Sequence, residues 1–259
     1  MDFGLIGEKL GHSYSVEIHE KIADYKYELK EIAPEDLDSF MKERPFKAIN
    51  VTIPYKQDVI PYLSEISETA REIGAVNVIV NKNGRLCGDN TDFKGICALI
   101  DHAGVRIEDR KVLILGTGGT SRTARYAAGK LKALSVTNVS RSGKGGAVTY
   151  EEALRDFADT QVIINTTPCG MYPKTSGMPI DINNFQALEG VIDVVYNPIE
   201  TRLVKAAKAK GLPAEGGLYM LTAQAVYASA LFLEKEADPS VIDKVYGEML
   251  KEKKNESGN

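Results

Sequence analysis

A continuous apolar run that leads directly into a glycine-rich loop constrains the fold of this chain more than any other feature. The run is Val112-Leu113-Ile114-Leu115, the loop is Gly116-Thr117-Gly118-Gly119-Thr120-Ser121-Arg122, and helical spacing follows over 123–131. Glycines between a strand and a helix allow a tight turn and a close approach to a pyrophosphate, whose charge the free amides at the helix start stabilise. The segment therefore predicts a dinucleotide-binding loop. A plain loop is the alternative interpretation.

The strand after this helix indicates which dinucleotide is bound. An NAD site usually places Asp or Glu at the end of that strand, where it accepts hydrogen bonds from the ribose 2′-hydroxyl. This chain has Ser140-Arg141-Ser142 there, followed closely by Lys144. A guanidinium cannot accept those bonds, but it can hold a 2′-phosphate by paired charge-assisted hydrogen bonds. The pattern favours NADP over NAD, and a solvated basic loop is the alternative.

Short β-like runs alternate with helical periods along almost the whole chain, which predicts βαβ units and an α/β class. Runs over 134–139, 161–165 and 191–195 are read as apolar without alternation, as in a parallel sheet covered by helices on both faces. The second half is therefore predicted to form a Rossmann-like, doubly wound domain. The charged stretch 106–110 after Gly104 is a candidate boundary.

The first half predicts a second α/β domain with a mainly parallel sheet. Its predicted strands are 3–6, 27–32 and 48–53, its predicted helices are 16–23, 37–41 and 90–104, and a hairpin joins 75–80 to 85–88. The Asn83-Gly84 pair inside that hairpin is a strong turn signal. Helical spacing returns over 218–234 and 239–251, and residues 251–259 are expected to form a solvated tail.

The composition limits the classes of partner. The chain has 259 residues, 43% of them hydrophobic and 26% charged, with a net charge of -4. This acidic balance gives no electrostatic reason to expect nucleic acid or an anionic membrane. A small molecule is therefore the expected ligand, and a monomer or homodimer is the expected state. The start lacks signal-peptide sections, so a cytoplasmic protein is expected. Scattered Cys87, Cys97 and Cys169 predict free thiols, with no metal site.

A lysine just past a predicted strand is the first candidate for catalysis. The segment is Asn50-Val51-Thr52-Ile53-Pro54-Tyr55-Lys56, in which Asn50 and Thr52 would share one face and Val51 and Ile53 the other. A lone lysine there is more often a surface charge. Asp92, expected in the first turn of a helix, offers a partner because the helix dipole favours an anion. The two would form a proton-transfer unit, and helix capping is the alternative for Asp92.

Two further polar groups are candidates for holding a substrate. Ser13 and Ser15 are two residues apart and could hold a carboxylate by hydrogen bonds, although serines before a helix are equally good caps. Asn77 places an amide in an otherwise apolar run, and a buried amide must be satisfied or functional.

These segments together resemble the shikimate dehydrogenase family, in the family's order and over nearly the whole chain. The first four matching motifs are Gly-His-Ser-x-Ser at 11–15, Asn-Val-Thr-x-Pro-x-Lys at 50–56, Gly-Ala-Val-Asn at 74–77 and Asn-Thr-Asp-x-x-Gly at 90–95. The later half adds the glycine loop, Asn165 to Met171, Asp193 to Pro198, and Gly217 to Gln224. The usual Asn-Arg-Thr of the phosphate-binding turn is Ser140-Arg141-Ser142 here.

The resemblance implies NADP-dependent interconversion of 3-dehydroshikimate and shikimate, in chorismate and aromatic amino-acid biosynthesis. It implies Lys56 and Asp92 as the catalytic pair. It also implies a substrate domain of 1–103 plus 217–259, with an NADP-binding domain of 104–216 inserted between these two parts of the sequence. The implied substrate-binding residues are Ser13, Ser15, Thr52, Asn77, Tyr196 and Gln224. The expected cofactor-binding residues are Gly116, Thr117, Gly118, Gly119, Thr120, Ser140, Arg141, Ser142, Lys144, Thr166 and Gly217.

Two other functions stay open at the level of sequence. The same chemistry on quinate, with NAD as a possible cofactor, depends on the polarity of the pocket near Ser13 and Ser15. A dinucleotide-binding sensor without turnover should have lost the proton-transfer pair or the polar substrate groups, and this chain keeps both.

Overall fold

The chain packs as two compact units. The computed structural model describes residues 1–11 and 13–257, and for residues 254, 256 and 257 only the backbone. One unit comprises Met1–Lys94 and Thr222–Asn259, and the other comprises Gly95–Leu221. Both divisions fall inside helices, whereas the sequence pattern predicts a boundary at 104 and the family resemblance implies one at 217. The α/β class predicted from the alternating pattern is confirmed by the order of helices and strands.

A mixed sheet organises the first unit. Its strands are β1 (Phe3–Gly7), β2 (Tyr27–Glu31), β3 (Ala48–Val51), β4 (Glu65–Ile66), β5 (Val78–Lys82) and β6 (Arg85–Asp89). They lie in the order β2-β1-β3-β5-β6-β4. The β1 strand is parallel to β2 and β3, and β4 is parallel to β6, whereas β5 is antiparallel to both β3 and β6. The helices of this unit are α1 (Ser15–Ile22), α2 (Leu37–Glu43) and α3 (Glu68–Ile73), and the division between the units falls within α4 (Asp92–His102).

A fully parallel sheet organises the second unit. Its strands and the helices that connect them are β7 (Lys111–Leu115), α5 (Gly119–Lys130), β8 (Ser135–Val139), α6 (Tyr150–Asp156), β9 (Val162–Asn165), β10 (Gly190–Asp193), α7 (Arg202–Ala209) and β11 (Ala214–Glu215). The strand order is β11-β10-β9-β7-β8, with every pair parallel. The doubly wound prediction is therefore confirmed. The apolar side chains of β7, β9 and β10 form the core of this unit with α7.

Several strand predictions differ from the structure: the first hairpin strand, predicted over 75–80, is β5, and the strand predicted over 191–195 ends at Asp193. The run over 134–139 is not uniformly buried, because β8 is an edge strand whose Ser135 is exposed and whose middle is half-buried. The strand predicted over 48–53 ends at Val51, and the chain turns at Thr52, whose carbonyl accepts from the Tyr55 amide. Ile53 therefore does not share the buried face of Val51 and is 73% exposed.

The C-terminal helices are α8 (Leu218–Phe232) and α9 (Ser240–Ser257). The solvated tail expected from residue 251 is wrong as far as Ser257, because α9 continues through this stretch and packs against α1. Residues 258 and 259 lie outside the described residues. Two of the described ion pairs, Lys21 with Glu252 and Lys253 with Glu17, join α1 to α9. They stabilise the end of α9, which its composition does not predict to be ordered. Within the described chain, no helix combines the length and apolarity that a membrane crossing needs.

Candidate active site

The strand register of the first unit brings four separate chain segments to one edge of its sheet. Because β5 runs antiparallel to β3, the start of β5 lies beside the end of β3, where the Val51 amide donates to the carbonyl of Asn77 at 2.8 Å. The β6 strand reverses again and ends at the same edge, with Asp89 opposite Val78. The β1 strand is parallel to β3, so the segment after Gly7 also leaves from this edge.

Lys56 is held on the turn beyond β3 by its neighbours. The preceding Tyr55 is buried, and its hydroxyl donates to the carbonyl of Ile32 at 2.5 Å. The carbonyl of Lys56 itself accepts from the Val76 amide at 2.8 Å. With its backbone fixed on both sides, the lysine side chain is directed at Asp92, and Nζ donates to Oδ2 at 2.6 Å. The two side chains are 17% and 11% exposed, so the pair is largely withdrawn from water but still accessible to a ligand.

Asp92 is positioned by a set of buried amide contacts. It begins α4, where the helix dipole stabilises the carboxylate. Its Oδ1 accepts from Asn77 Nδ2 at 2.9 Å, and the same Nδ2 donates to Thr91 Oγ1 at 3.1 Å. The amide of Thr91 donates to Asn77 Oδ1 at 2.7 Å. The amide of Asn77 is thus satisfied by protein groups, and it fixes one carboxylate oxygen while Lys56 binds the other.

This arrangement has a defined chemical capacity. The ammonium is the donor toward Asp92, and it retains further N–H groups that can be offered to a substrate oxygen. An ordered carboxylate on the far side keeps the lysine in one orientation, as general acid–base catalysis requires. Lys56 and Asp92 are 36 positions apart in sequence and are brought together by the turns after β3 and β6.

Ser13 and Ser15 lie together at the start of α1. Ser13 Oγ donates to Ser15 Oγ at 2.9 Å and accepts from the Ser15 amide at 3.2 Å. The segment is a turn into the helix, and the turn places the two hydroxyls next to each other. Capping and binding are therefore compatible, because Ser13 accepts from the first helical amide and Ser15 begins the helix. The intervening Tyr14 is the N-cap residue. His12 of the same motif lies outside the described residues.

Thr52, Gln224 and Tyr196 occupy different places in the fold. Thr52 is half-buried directly after β3, and a Cβ on Gly7 would approach its methyl group to 2.7 Å, so the glycine makes room for it. Gln224 lies on α8 in the first unit and is buried. Tyr196 follows β10 in the second unit and is half-buried.

The glycine loop of the second unit has the features that a pyrophosphate site needs. The helix α5 begins at Gly119, four residues earlier than the spacing predicts, and its N-cap Gly118 supplies no side-chain hydrogen bond. A Cβ added at Gly118 or Gly119 would meet nothing within 4 Å, so the helix start is open. Gly116 has φ 113, and a Cβ there would come within 2.7 Å of Thr166 Oγ1. The loop therefore fits a phosphate-bearing cofactor at the amides of α5.

The basic turn after β8 carries a guanidinium that has no carboxylate partner among the residues that the structure describes. Ser142, Lys144 and Arg141 lie on this turn, where Arg141 is exposed and Ser140 Oγ accepts from the Gly143 amide at 3.1 Å. Within the described chain, Arg141 has no carboxylate partner. A side chain in this position is free to bind a 2′-phosphate.

Thr166 and Gly217 have structural roles of their own. Thr166 Oγ1 donates to the carbonyl of Leu115 at 2.6 Å, which ties the end of β9 to the end of β7. A Cβ on Gly217 would come within 2.1 Å of the Val194 carbonyl oxygen, so close backbone packing already requires glycine there.

Sequence reasoning placed Asp193 in a family motif but assigned no role to this buried carboxylate of the second unit. Asp193 is fully buried and accepts from Asn165 Nδ2 at 2.9 Å, from the Val195 amide at 3.0 Å and from Thr201 Oγ1 at 2.7 Å. Burial raises the pKa of Asp193 to about 6, although the hydrogen bonds oppose this effect. An Asp that ends a continuous apolar strand was the available signal.

A buried histidine in the first unit was missed as well. His19 is fully buried in α1, and its ring stacks on Tyr27 at 3.8 Å between centroids. Its Nδ1 and the Tyr25 hydroxyl are 2.6 Å apart. Desolvation lowers the pKa of His19 to about 3. A histidine on the apolar face of an amphipathic helix was the only indication in the sequence.

Known proteins match both the sequence and the fold. Residues 5–79 match the family model described as the shikimate dehydrogenase substrate binding domain. The shikimate dehydrogenase (NADP(+)) of Clostridium perfringens is 36% identical over 264 residues, which cover 95% of this chain and 97% of that protein. The shikimate 5-dehydrogenase of Thermus thermophilus, solved with NADP(H) and shikimate, has a TM-score of 0.84 at 28% identity, covering 96% of this chain and 99% of that one.

A second structural neighbour carries a different name. The quinate dehydrogenase of Corynebacterium glutamicum, solved with NAD, also has a TM-score of 0.84 at 28% identity, covering 97% of this chain and 99% of that one. Identity above 30% over nearly the full length of the Clostridium perfringens protein is decisive for the assignment. The chain belongs to the shikimate dehydrogenase family.

Proposed function

We propose that this chain catalyses the reversible NADPH-dependent reduction of 3-dehydroshikimate to shikimate. It is an NADP-dependent oxidoreductase that acts on a CH–OH group; its relatives are named shikimate dehydrogenase (NADP(+)), and one was solved with NADP(H) and shikimate. The single observation that carries the mechanism is the short ion pair between Lys56 and Asp92, with Asn77 fixing the far carboxylate oxygen.

Each residue has a defined task in this mechanism. NADPH, when bound, supplies the hydride that the carbonyl carbon accepts. The carbonyl oxygen then gains negative charge and needs a proton, which the Lys56 ammonium donates; in the oxidative direction the neutral amine takes it back. Asp92 keeps the ammonium in place and accepts a hydrogen bond from a ring hydroxyl. Positioned acid–base groups of this kind accelerate reactions by about a hundred- to ten-thousandfold.

The remaining site residues are assigned to binding. Ser13 and Ser15 would hold the substrate carboxylate, with Thr52, Tyr196 and Gln224 at the ring hydroxyls. The open start of α5 would hold the pyrophosphate, and Arg141 the 2′-phosphate. We assign substrate binding to 1–103 with 217–259, and NADP binding to 104–216. A cytoplasmic location stays a prediction.

Quinate oxidation is the second candidate, because a quinate dehydrogenase is as similar in fold as a shikimate enzyme. The exposed Arg141 favours NADP, whereas the contacts among the described site residues do not separate quinate from shikimate. The test is a four-way assay of the purified protein with shikimate or quinate and with NADP or NAD, following cofactor reduction by absorbance. We expect the highest kcat/KM for shikimate with NADP. A higher value for quinate with NAD would replace the proposal, and tight NADPH binding without turnover would favour a sensor.

A further inference from the structure

Lys253, near the end of α9, is buried to an extent that is unusual for a lysine. Only 7% of the residue is exposed, although the neighbouring Lys251 and Glu252 are exposed. Lysines are almost never buried unless they are paired, because removal of the ammonium from water is costly. The proposed chemistry at Lys56 and Asp92 gives no reason for this burial.

Lys253 contacts two residues at the start of α1. Its Nζ is 2.8 Å from Glu17 Oε2, and it lies over the ring of Tyr14 at 4.5 Å from the centroid. A cation at that distance from an aromatic face is attracted by the ring quadrupole, and more strongly where water is excluded. One lysine at the C-terminal end thus holds two side chains that flank Ser15 in sequence.

Tyr14 is the residue between the two serines assigned to the substrate carboxylate. It is the N-cap of α1 and makes no capping hydrogen bond with its own side chain. The orientation of its backbone decides where Ser13 and Ser15 present their hydroxyls, which are 2.9 Å apart. A contact that immobilises the Tyr14 ring therefore also immobilises this pair of hydroxyls.

We propose that Lys253 is a positioning residue for substrate binding, which holds the Ser13–Tyr14–Ser15 turn in the conformation that receives the carboxylate. This inference rests on the proposed function. Lys253 acts through Tyr14 and Glu17 and is not assigned any contact with substrate. A turn that is already ordered does not have to lose conformational entropy when the ligand binds, so the benefit is expected in affinity rather than in turnover.

The chain offers a matched control for the test. Lys21 and Glu252 form a second ion pair between the same two helices, also at 2.8 Å, but the cation over the Tyr14 ring is Lys253. For Lys253→Ala we expect the KM for shikimate to rise about three- to twentyfold, as the loss of a partly desolvated cation–π contact implies. In the same variant we expect kcat and the KM for NADP to stay within about twofold. Lys253→Arg should restore the KM for shikimate, because a guanidinium also binds a carboxylate and an aromatic ring. Lys21→Ala should resemble the wild type.

A second measurement tests the turn itself, independently of catalysis. The Ser15 amide donates to Ser13 Oγ, so its hydrogen exchange in the ligand-free protein reports the order of the turn. Lys253→Ala should speed this exchange and Lys21→Ala should not. If Lys253→Ala does not fold, Tyr14→Leu, which keeps the ion pair with Glu17, should give the same rise in KM and in exchange.

Several outcomes would overturn the inference. It fails if Ser15 exchange is unchanged in Lys253→Ala, if the KM for shikimate does not rise, or if Lys21→Ala raises it equally, since general docking of α9 would then be the cause. It also fails if Tyr14→Leu changes neither quantity. An absence of turnover in the wild type would instead refute the proposed function, and the exchange measurement would still decide the role of Lys253 in the turn.

Discussion

The burial of His19 predicts a large and specific dependence of stability on pH. The folded pKa of His19 is about 3, against an ordinary value of 6.5. Between these values the unfolded chain binds a proton at this site that the folded chain does not bind. The contribution of His19 to the free energy of unfolding is therefore fully present above pH 6.5 and is lost as the pH falls toward 3.

The magnitude follows from the same two pKa values. At about 1.4 kcal/mol per pH unit, the interval from 6.5 to about 3 amounts to about 5 kcal/mol for this side chain. Between pH 7 and pH 5 the loss is about 2 kcal/mol, because the unfolded histidine changes from mostly neutral to mostly charged. Within the described chain, His19 Nε2 has no hydrogen bond of normal geometry, and the nearby Asn50 side chain offsets only part of the desolvation that disfavours a proton on the ring.

His19→Phe is the variant that isolates this effect. A phenyl ring has a similar shape and can keep the stacking on Tyr27 and Phe232, but it cannot bind a proton. Urea unfolding followed by far-UV circular dichroism at pH 5, 6 and 7 should show the wild type losing about 2 kcal/mol more than the variant over this range. Contributions from other titrating groups are common to both proteins and cancel in the comparison.

Proton NMR provides a direct check on the same reasoning. The C2 proton of His19 should not titrate in the folded protein between pH 8 and about 4.5, given a pKa near 3. A titration midpoint above about 5, or unfolding curves with the same pH dependence in both proteins, would refute the assignment of His19 as a neutral buried ring.

Three further predictions concern the proposed site and the second unit. Lys56→Met should lower kcat for shikimate about a hundred- to ten-thousandfold with a smaller change in KM. Lys47→Met, which removes an exposed ion pair, is the control. A rise in KM alone in Lys56→Met would contradict the role of Lys56 in proton transfer. Arg141→Ala should raise the KM for NADPH about tenfold or more and spare NADH, whereas equal losses for both would exclude a 2′-phosphate contact. The pKa of Asp193 is about 6 in the folded chain, against an ordinary value of 3.8. Its contribution to the free energy of unfolding, about 3 kcal/mol, is therefore fully present below pH 3.8 and is lost as the pH rises through about 6. Urea unfolding of Asp193→Asn should lack this dependence, and identical curves would refute it.

The sequence was sufficient to predict those elements whose conformation depends on residues that are near neighbours in the chain. Asn83 and Gly84 adopt φ values of 53 and 88, as the hairpin signal requires, and join β5 to β6 where the turn was expected. The apolar runs of β7 and β9 specify buried parallel strands, and the glycines after β7 specify the open start of α5. The motifs also identified the family, which the comparison with Clostridium perfringens bears out.

Other features depend on contacts between distant segments and could not be read from short patterns. The pairing of Lys56 with Asp92 requires two antiparallel reversals, β3 to β5 and β5 to β6, which place both turns at one sheet edge. The exposure of Ile53 follows from a turn that interrupts the alternation of the strand, and Asp193 finds its three donors on β9, on the loop after β10 and at the start of α7.

Residues 251–257 show most clearly the difference between what the sequence predicts and what contacts between distant segments decide. By composition alone, 251–257 is a polar, charged stretch with nothing to bury, and a solvated tail is the natural expectation. The structure continues the helix because Lys253 meets Glu17 and Tyr14, more than 230 positions earlier in the sequence. Sequence alone determined the elements and the chemical groups that the chain carries, since these depend on neighbouring residues. Only the tertiary structure decided which charges are buried together, because that depends on which distant surfaces the folded backbone brings into contact.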